Sequence, residues 1–208
     1  MVTTTAIKDR PILFSTPMVQ GIVEDRKTKT RRVVKGQALE WLQPDMFTPE
    51  YVASPENKLC PYGYPGDRLW VREAWQYSDN LEEPYLYRQK ELDELKPEFF
   101  ERMKWKPSIH MPREACRLIL EITSVKIERL QDISENDAIA EGIELLDGKL
   151  DDSPVFRNYN YKAPEVKYGY GFPTNSFRSL WESINGKESW SENPWVWVVE
   201  FKKVYQST

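Results

Sequence analysis

Apolar side chains fall at every second position in "RLILEITSVKIERLQDI", where Leu118, Leu120 and Ile122 alternate with polar neighbours until the rhythm slips near Ser124. This is the period of a half-buried strand with a bulge at the slip. A second alternating run, "NPWVWVVEFKKV", puts Trp195, Trp197, Val199 and Phe201 on one side and Val196, Val198, Glu200 and Lys202 on the other. In "PGDRLWVREAW" a Pro-Gly-Asp turn leads into a strand that separates Leu69 and Val71 from Trp70 and Arg72. Two further strands are expected, over 12–14 and over 28–34, the latter with Thr28, Thr30 and Arg32 on one side.

Three segments switch to helical spacing. In "STPMVQGIVEDRK", Thr16 reads as N-cap and Pro17 as the first helical residue, Met18, Val19, Ile22 and Val23 form the apolar face, and Arg26 and Lys27 fall in the last turn, where cations complement the dipole. "SENDAIAEGI" carries an N-cap at Ser134, a capping box completed by Asp137, and a stop at Gly142. "SFRSLWESING" is capped by Thr174 or Asn175, buries Phe177, Leu180, Trp181 and Ile184, and ends at Gly186.

Between these elements lie three loop-rich insertions, at about 35–64, 77–112 and 146–173. The second contains an amphipathic helix, and the third is rich in tyrosine. The pattern predicts one α+β domain over 1–208, a small mixed β-barrel with peripheral helices. No GxGxxG or GxxxxGK loop is present, which argues against a Rossmann or P-loop nucleotide site.

Composition narrows the chemistry. With 208 residues and a net charge of -4, the chain suits one elaborated domain and does not suit coating nucleic acid by charge alone, which leaves room for a local basic site. Cys60 and Cys116 stand far apart and His110 is the sole histidine, so neither a zinc site nor any other cofactor is expected. His110, set between prolines, reads as an ordinary loop residue. No signal pattern and no apolar run of about 20 residues is present, so a cytoplasmic protein without membrane contact is expected. Eight tryptophans and eleven tyrosines suit half-buried surfaces and base stacking as well as cores.

Two features stand out against that background. "DRKTKTRR" places five basic residues in eight positions of an acidic chain. Glu141 falls at the C-terminus of its helix, where the dipole disfavours a carboxylate, so something else must hold it there.

The blocks "RPILFSTPMVQGIVEDRKTKTRR", "GDRLWVRE", "ILEITSVKIERLQDISENDAIAEGI" and "SFRSLWESI...NPWVWVVEF" together resemble the ASCH family of the PUA-like superfamily, over roughly half the chain. The long form with insertions also resembles proteins common in phages and prophages, which implies a host cytoplasm. The resemblance implies a PUA-like barrel whose cleft takes RNA or a modified nucleobase. Some small members are similar to amidohydrolases that deacylate N4-acetylcytidine with a Lys, a Thr and a Glu. By motif these fall on Lys27, Thr30 and Glu141. The chain departs from the small enzymes in its three insertions and at Asp25, where they usually carry glycine.

The residues allow that chemistry. A threonine hydroxyl needs a base within hydrogen-bond reach, and a lysine serves only when its pKa is lowered. Arg26, Lys29, Arg31 and Arg32 flank Lys27 and disfavour its charged form, whereas an ionised Glu141 works the other way. Residues three apart on a strand point to opposite faces, so Lys27 must sit in the turn before the strand to come round to Thr30. Arg26 is a candidate oxyanion donor.

Three other readings stay open. The basic run is also what a helix end followed by a charge-protected edge strand would look like. Arg31, Arg32 and Arg72, with Trp70 and Trp75 as stacking rings and Glu73 nearby, would suit a non-catalytic site for single-stranded or modified nucleic acid. The tyrosine-rich loop would suit a host protein partner.

Overall fold

A computed structural model of the protein describes residues 7–43, 46–80, 82–90, 96, 100–150, 152–161 and 165–204. Nine strands are formed among them: β1 (Asp9–Leu13), β2 (Lys29–Val33), β3 (Arg68–Arg72), β4 (Trp75–Tyr77), β5 (Tyr85–Tyr87), β6 (Ile119–Arg129), β7 (Leu145–Leu150), β8 (Ser153–Phe156) and β9 (Trp195–Val204). The described α-helices are α1 (Thr16–Val23), α2 (Gln37–Leu42), α3 (Pro49–Ala53), α4 (Glu135–Ala140) and α5 (Pro173–Asn185). Five strands join in the order β1-β3-β6-β9-β2, while β4-β5 and β7-β8 form two-stranded ribbons. The mixed α+β class is the expected one. Among the described residues β1 and β2 end the five-strand order, so these pairings leave the sheet open and do not close the expected barrel.

The chain divides into two compact units, one drawn from Met1–Glu24, Tyr62–Thr123 and Phe201–Thr208, the other from Asp25–Pro61 and Ser124–Glu200. In the first, β1 runs parallel to β3 from Asp9↔Arg68 to Leu13↔Arg72, and β3 pairs antiparallel with β6 through Leu69↔Leu120. Leu69 and Val71 point into the core, as the alternation predicts. Pairing with β3, not apolarity, is what makes β1 begin at Asp9, before the expected start at Ile12.

In α1 the first turn is closed by Val19 N–H donating to the Ser15 carbonyl, which puts the N-cap at Ser15, one residue before the expected Thr16. The buried face narrows to Val19 and Ile22, and Val23 is exposed. The helix stops before its expected basic last turn, so Arg26 and Lys27 lie beyond it and the dipole explains neither. A second cluster of this unit packs Trp75, Met111 and Ala115 together. Within 77–112, where an amphipathic helix is expected, residues 88–90 are helical, and 91–95 and 97–99 lie outside the described residues.

In the second unit β2 pairs antiparallel with β9 from Lys29↔Glu200 to Val33↔Val196. Phe177 and Trp181 of α5 pack with Ala138 of α4 and with Leu130, Ile133, Val196 and Val198. Burying each of the larger of these side chains contributes about 1.5–3 kcal/mol. Helix α5 starts at Pro173 with Phe172 as its N-cap; Thr174 does not cap it, because its hydroxyl donates to Glu135 at 2.8 Å. Ile184 is exposed, not part of the apolar face.

The first insertion holds α2 and α3, with the rings of Trp41, Phe47 and Tyr51 packed on one another. The third insertion is less irregular than expected, since β7 and β8 form a ribbon through Leu145↔Phe156 and Leu150↔Ser153. Asp147, Gly148 and Lys149 interrupt its apolar alternation, which hides it from a periodicity reading.

Candidate functional site

The basic run lies wholly in the second unit. After α1, Asp25 adopts the left-handed conformation at φ 59°, the geometry a glycine takes most easily. The chain then passes Lys27, which bridges Glu141 in antiparallel fashion, and Thr28 N–H donates to the Ala140 carbonyl at 2.8 Å. The end of α4 is thereby fastened to the entry of β2.

Two periodicities meet here. Along an extended chain Lys27, Lys29 and Arg31 recur at every second position, and Asp137 and Glu141 are four apart at the end of a helical turn, so each set shares a face. Lys29 Nζ donates to Asp137 at 2.7 Å. Arg31 donates through Nη2 to Asp137 at 2.9 Å and to Glu128 at 2.6 Å, and through Nη1 to Glu141 at 3.1 Å. Lys27 Nζ donates to Glu141 Oε2 at 2.8 Å, to the Glu141 carbonyl at 2.8 Å and to the Lys29 carbonyl at 2.7 Å. An ammonium has three N–H groups, and these acceptors occupy all of them.

Lys27, Lys29 and Arg31 thus meet the carboxylates of Glu128, Asp137 and Glu141, with Lys126 at 2.7 Å from Glu128 and Glu200 at 3.7 Å from Lys29 at the edges. Three of the five basic residues of the run are therefore matched by acids brought in from elsewhere in the unit. This answers why Glu141 tolerates the negative end of a helix: Lys27 and Arg31 each hold one of its oxygens. Ser134 caps α4 by accepting from Asp137 N–H at 3.1 Å, as expected, while the Asp137 carboxylate is engaged by Lys29 and Arg31.

Lys27 is only 2% exposed and Thr30 only 1%. Burial pushes the Lys27 ammonium below the ordinary lysine value; Glu141 opposes this, and Arg32 and Arg31 add to the lowering. For Asp137 burial works upward, but the hydrogen bonds from Lys29 and Arg31 outweigh it and hold the carboxyl below its usual range.

Gly142 makes the approach possible. Its φ of 85° favours glycine, and a Cβ there would stand 2.7 Å from Lys27 Cβ. Arg26 Nη1 donates to the Gly142 carbonyl at 2.7 Å, which fixes the same corner from the other side.

Of the expected catalytic set, Lys27 and Glu141 are in direct contact. Thr30 pairs with Val199, and strand alternation sets it on the opposite face of β2 from Lys29 and Arg31, together with Arg32. Lys27 reaches the carbonyl of the Lys29–Thr30 peptide.

Trp70, Arg72, Glu73 and Trp75, the other expected binding residues, belong to the first unit. Trp70 is half-buried with the guanidinium groups of Arg72 and Arg113 over its ring at 5.3 and 5.6 Å, and Arg72 donates to the Ile109 carbonyl. Trp75 is buried against Met111 and Ala115 and meets Tyr77 edge to face, so its role there is packing. Glu73 is 1% exposed, and Arg117 clamps it with two bonds of 2.9 Å. Arg117 also donates to Gln89 at 2.7 Å and lies over the Tyr87 ring at 4.5 Å. Burial raises the Glu73 carboxyl, and the bonds and charge of Arg117 oppose that. A cavity of about 340 Å³ next to this group is lined by Glu83, Pro84, Tyr85, Tyr87, Lys90 and Arg117.

Sequence reasoning missed Asp137 as a site residue, Glu128 and Arg117. Asp137 was legible, because it lies four residues before Glu141; Glu128 and Arg117 are brought in by tertiary pairing alone and leave no local signal. His110 ends a 3₁₀ turn and is exposed. No group of His, Cys, Asp and Glu among the described residues is arranged to hold a metal ion, and none of the described helices is long and apolar enough to cross a membrane. The chain matches no protein-family model, no curated protein and no solved structure.

Proposed function

We propose that this chain is a nucleobase- or nucleoside-recognising protein of the ASCH, PUA-like type, and that it deacylates N4-acetylcytidine-type substrates with Lys27, Thr30 and Glu141. The observation that carries the reading is the buried Lys27–Glu141 pair, joined at 2.8 Å at the two positions the family motif assigns. Burial loosens the Lys27 proton, which is what a base at neutral pH requires.

Thr30 is buried on the face of β2 away from Lys29 and Arg31, so this mechanism requires it to turn toward Lys27 when substrate binds. Neutral Lys27 then removes the Thr30 hydroxyl proton as Oγ1 attacks the acyl carbon. The tetrahedral intermediate collapses with cleavage of the acyl–N4 bond, and the Lys27 ammonium returns the proton to N4. Water then hydrolyses the acyl-threonine, so that the sum is amide plus water giving cytidine and carboxylate. Glu141 orients the amine, and Arg26 is a candidate for the oxyanion.

Incubation of the purified protein with N4-acetylcytidine, with cytidine followed by chromatography, tests the reading. Cytidine release that Lys27→Ala and Glu141→Gln abolish is expected. No release, or release that survives Lys27→Ala, overturns it.

A second reading is favoured by one feature: every Lys27 N–H already has a protein acceptor, as in a purely structural ion cluster. On this reading the protein binds single-stranded or modified nucleic acid, or a host protein, without chemistry. Salt-dependent RNA binding weakened by charge reversal at Arg32, together with absence of turnover, is its expected signature.

A further inference from the structure

A lysine beside a carboxylate is a poor base, because the carboxylate stabilises the ammonium. The Lys27–Glu141 pair on its own would therefore work against the chemistry assigned to it. The neighbouring arginine changes the balance. Arg31 is 4% exposed, and its guanidinium is gripped on several sides: Nε and Nη2 donate to Glu128, Nη2 to Asp137 and Nη1 to Glu141 Oε1. Those bonds leave it little freedom to turn. The planar fork is what makes this possible, since a lysine ammonium is a point charge without fixed directions.

The division of Glu141 is the consequence. Oε1 belongs to Arg31 and Oε2 to Lys27, so the carboxylate cannot rotate to offer both oxygens to the amine. Lys27 makes its two other bonds to main-chain carbonyls, those of Glu141 and Lys29, and the second directs it along the peptide that leads into Thr30.

We infer that Arg31 is a positioning residue that shares Glu141 with Lys27, fixing the orientation of the carboxylate and limiting its hold on the amine. The functional weight of this rests on the hydrolase reading above, whereas the sharing itself is a property of the fold.

The groups facing Lys27 are Glu141 at the end of α4 and Arg31 and Arg32 from β2. Both arginines oppose its protonation and Glu141 favours it. Removing the charge of Arg31 therefore removes repulsion and leaves Glu141 to Lys27 alone. Both changes act upward on the Lys27 titration.

The test is the titration of the Lys27 side chain, followed by nitrogen-15 NMR of lysine-labelled full-length protein and assigned with Lys27→Met. In Arg31→Gln the midpoint is expected about one pH unit or more above wild type. In Arg31→Lys, which keeps the charge but loses the fork, a smaller upward shift is expected. An unchanged midpoint in a folded Arg31→Gln overturns the inference and leaves Arg31 a structural ion-pair partner.

If neither variant folds, the unaltered protein still decides. Separate, slowly exchanging Nη resonances for Arg31 are expected from a guanidinium held by three carboxylates; averaged resonances overturn the inference. Turnover supplies an independent readout. Under the hydrolase reading the acidic limb of kcat/KM moves upward with the same midpoint. If wild type releases no cytidine while the Lys27 midpoint still shifts in Arg31→Gln, the hydrolase reading fails and the sharing of Glu141 stands.

Discussion

Each unit of the protein buries a carboxylate against an arginine, and the two do it differently. In the second unit Glu141 is one of three acids gathered around Arg31, each of which also has a lysine: Lys27, Lys29 or Lys126. In the first, Glu73 faces one guanidinium, and Arg117 passes on to the amide of Gln89, which in turn donates to Gln20 at 2.6 Å. Taking charges out of water costs several kcal/mol per ion, so each arrangement persists only because nearly every polar atom is matched. The cluster is a set whose members constrain one another. The Glu73 group is a single pair with neutral amides behind it, and its acid retains an alternative, to take up a proton.

That difference orders the expected effects of mutation. Arg31→Met takes a buried partner from each of three carboxylates and leaves them only Lys27, Lys29 and Lys126, and it is expected to cost about 3–5 kcal/mol in urea unfolding at neutral pH, the range for breaking a buried pair. Arg117→Met is expected to cost less, about 2 kcal/mol, because Glu73 can neutralise itself. Equal losses would remove the distinction between the two regions.

The pH dependence of the Arg117→Met loss sharpens it. A carboxyl raised above its ordinary value of 4.5 keeps its proton in the folded state at pH values where the unfolded chain has lost it. The folded state then binds more protons, and stability falls as pH rises through that window. Arg117 is what holds the window narrow. In Arg117→Met the loss is therefore expected to shrink as pH is lowered to about 4.5 and to grow toward neutrality. A loss independent of pH would mean that Glu73 does not titrate there.

Gly142→Ala probes the backbone under the cluster. Its positive φ and the 2.7 Å approach to Lys27 Cβ are expected to cost about 1–3 kcal/mol and to loosen the Lys27–Glu141 contact. Lys126 lies at the rim, 51% exposed in its side chain, with Glu128 at 2.7 Å. Lys126→Ala is expected to change stability by less than about 1 kcal/mol, the usual worth of an exposed ion pair. A large loss there would show that the cluster extends to the surface.

The same comparison explains what was legible in the sequence. Lys27, Lys29 and Arg31 alternate along one strand entry, and Asp137 and Glu141 stand one helical turn apart, so both halves of the cluster carry a local period. The misplaced carboxylate at Glu141 pointed to a partner, and the partners are Lys27 and Arg31. The Glu73 group has no such signature. Its members, Gln20, Glu73, Gln89 and Arg117, come from four separated segments and meet only through tertiary pairing. The core of β3 followed its apolar spacing and those of α1 and α5 did so in part, with Val23 and Ile184 exposed, whereas the β7-β8 ribbon escaped notice because charged residues and a glycine break its alternation. The expected last-turn cations of α1 failed for a related reason. Asp25 turns the chain out of the helix at a positive φ, a conformation composition does not advertise.

The central claim is that burial outweighs Glu141 and loosens the Lys27 proton. If it does, the unfolded chain binds the extra proton between the lowered value and the ordinary 10.5, and stability rises with pH through that window. The most direct measurement is the nitrogen-15 titration of the Lys27 side chain in the wild-type protein, with Lys27→Met to identify its resonance. A midpoint below the ordinary lysine value of 10.5 is predicted. A midpoint at or above that value would contradict the account and leave Lys27 a fixed cation in a structural cluster.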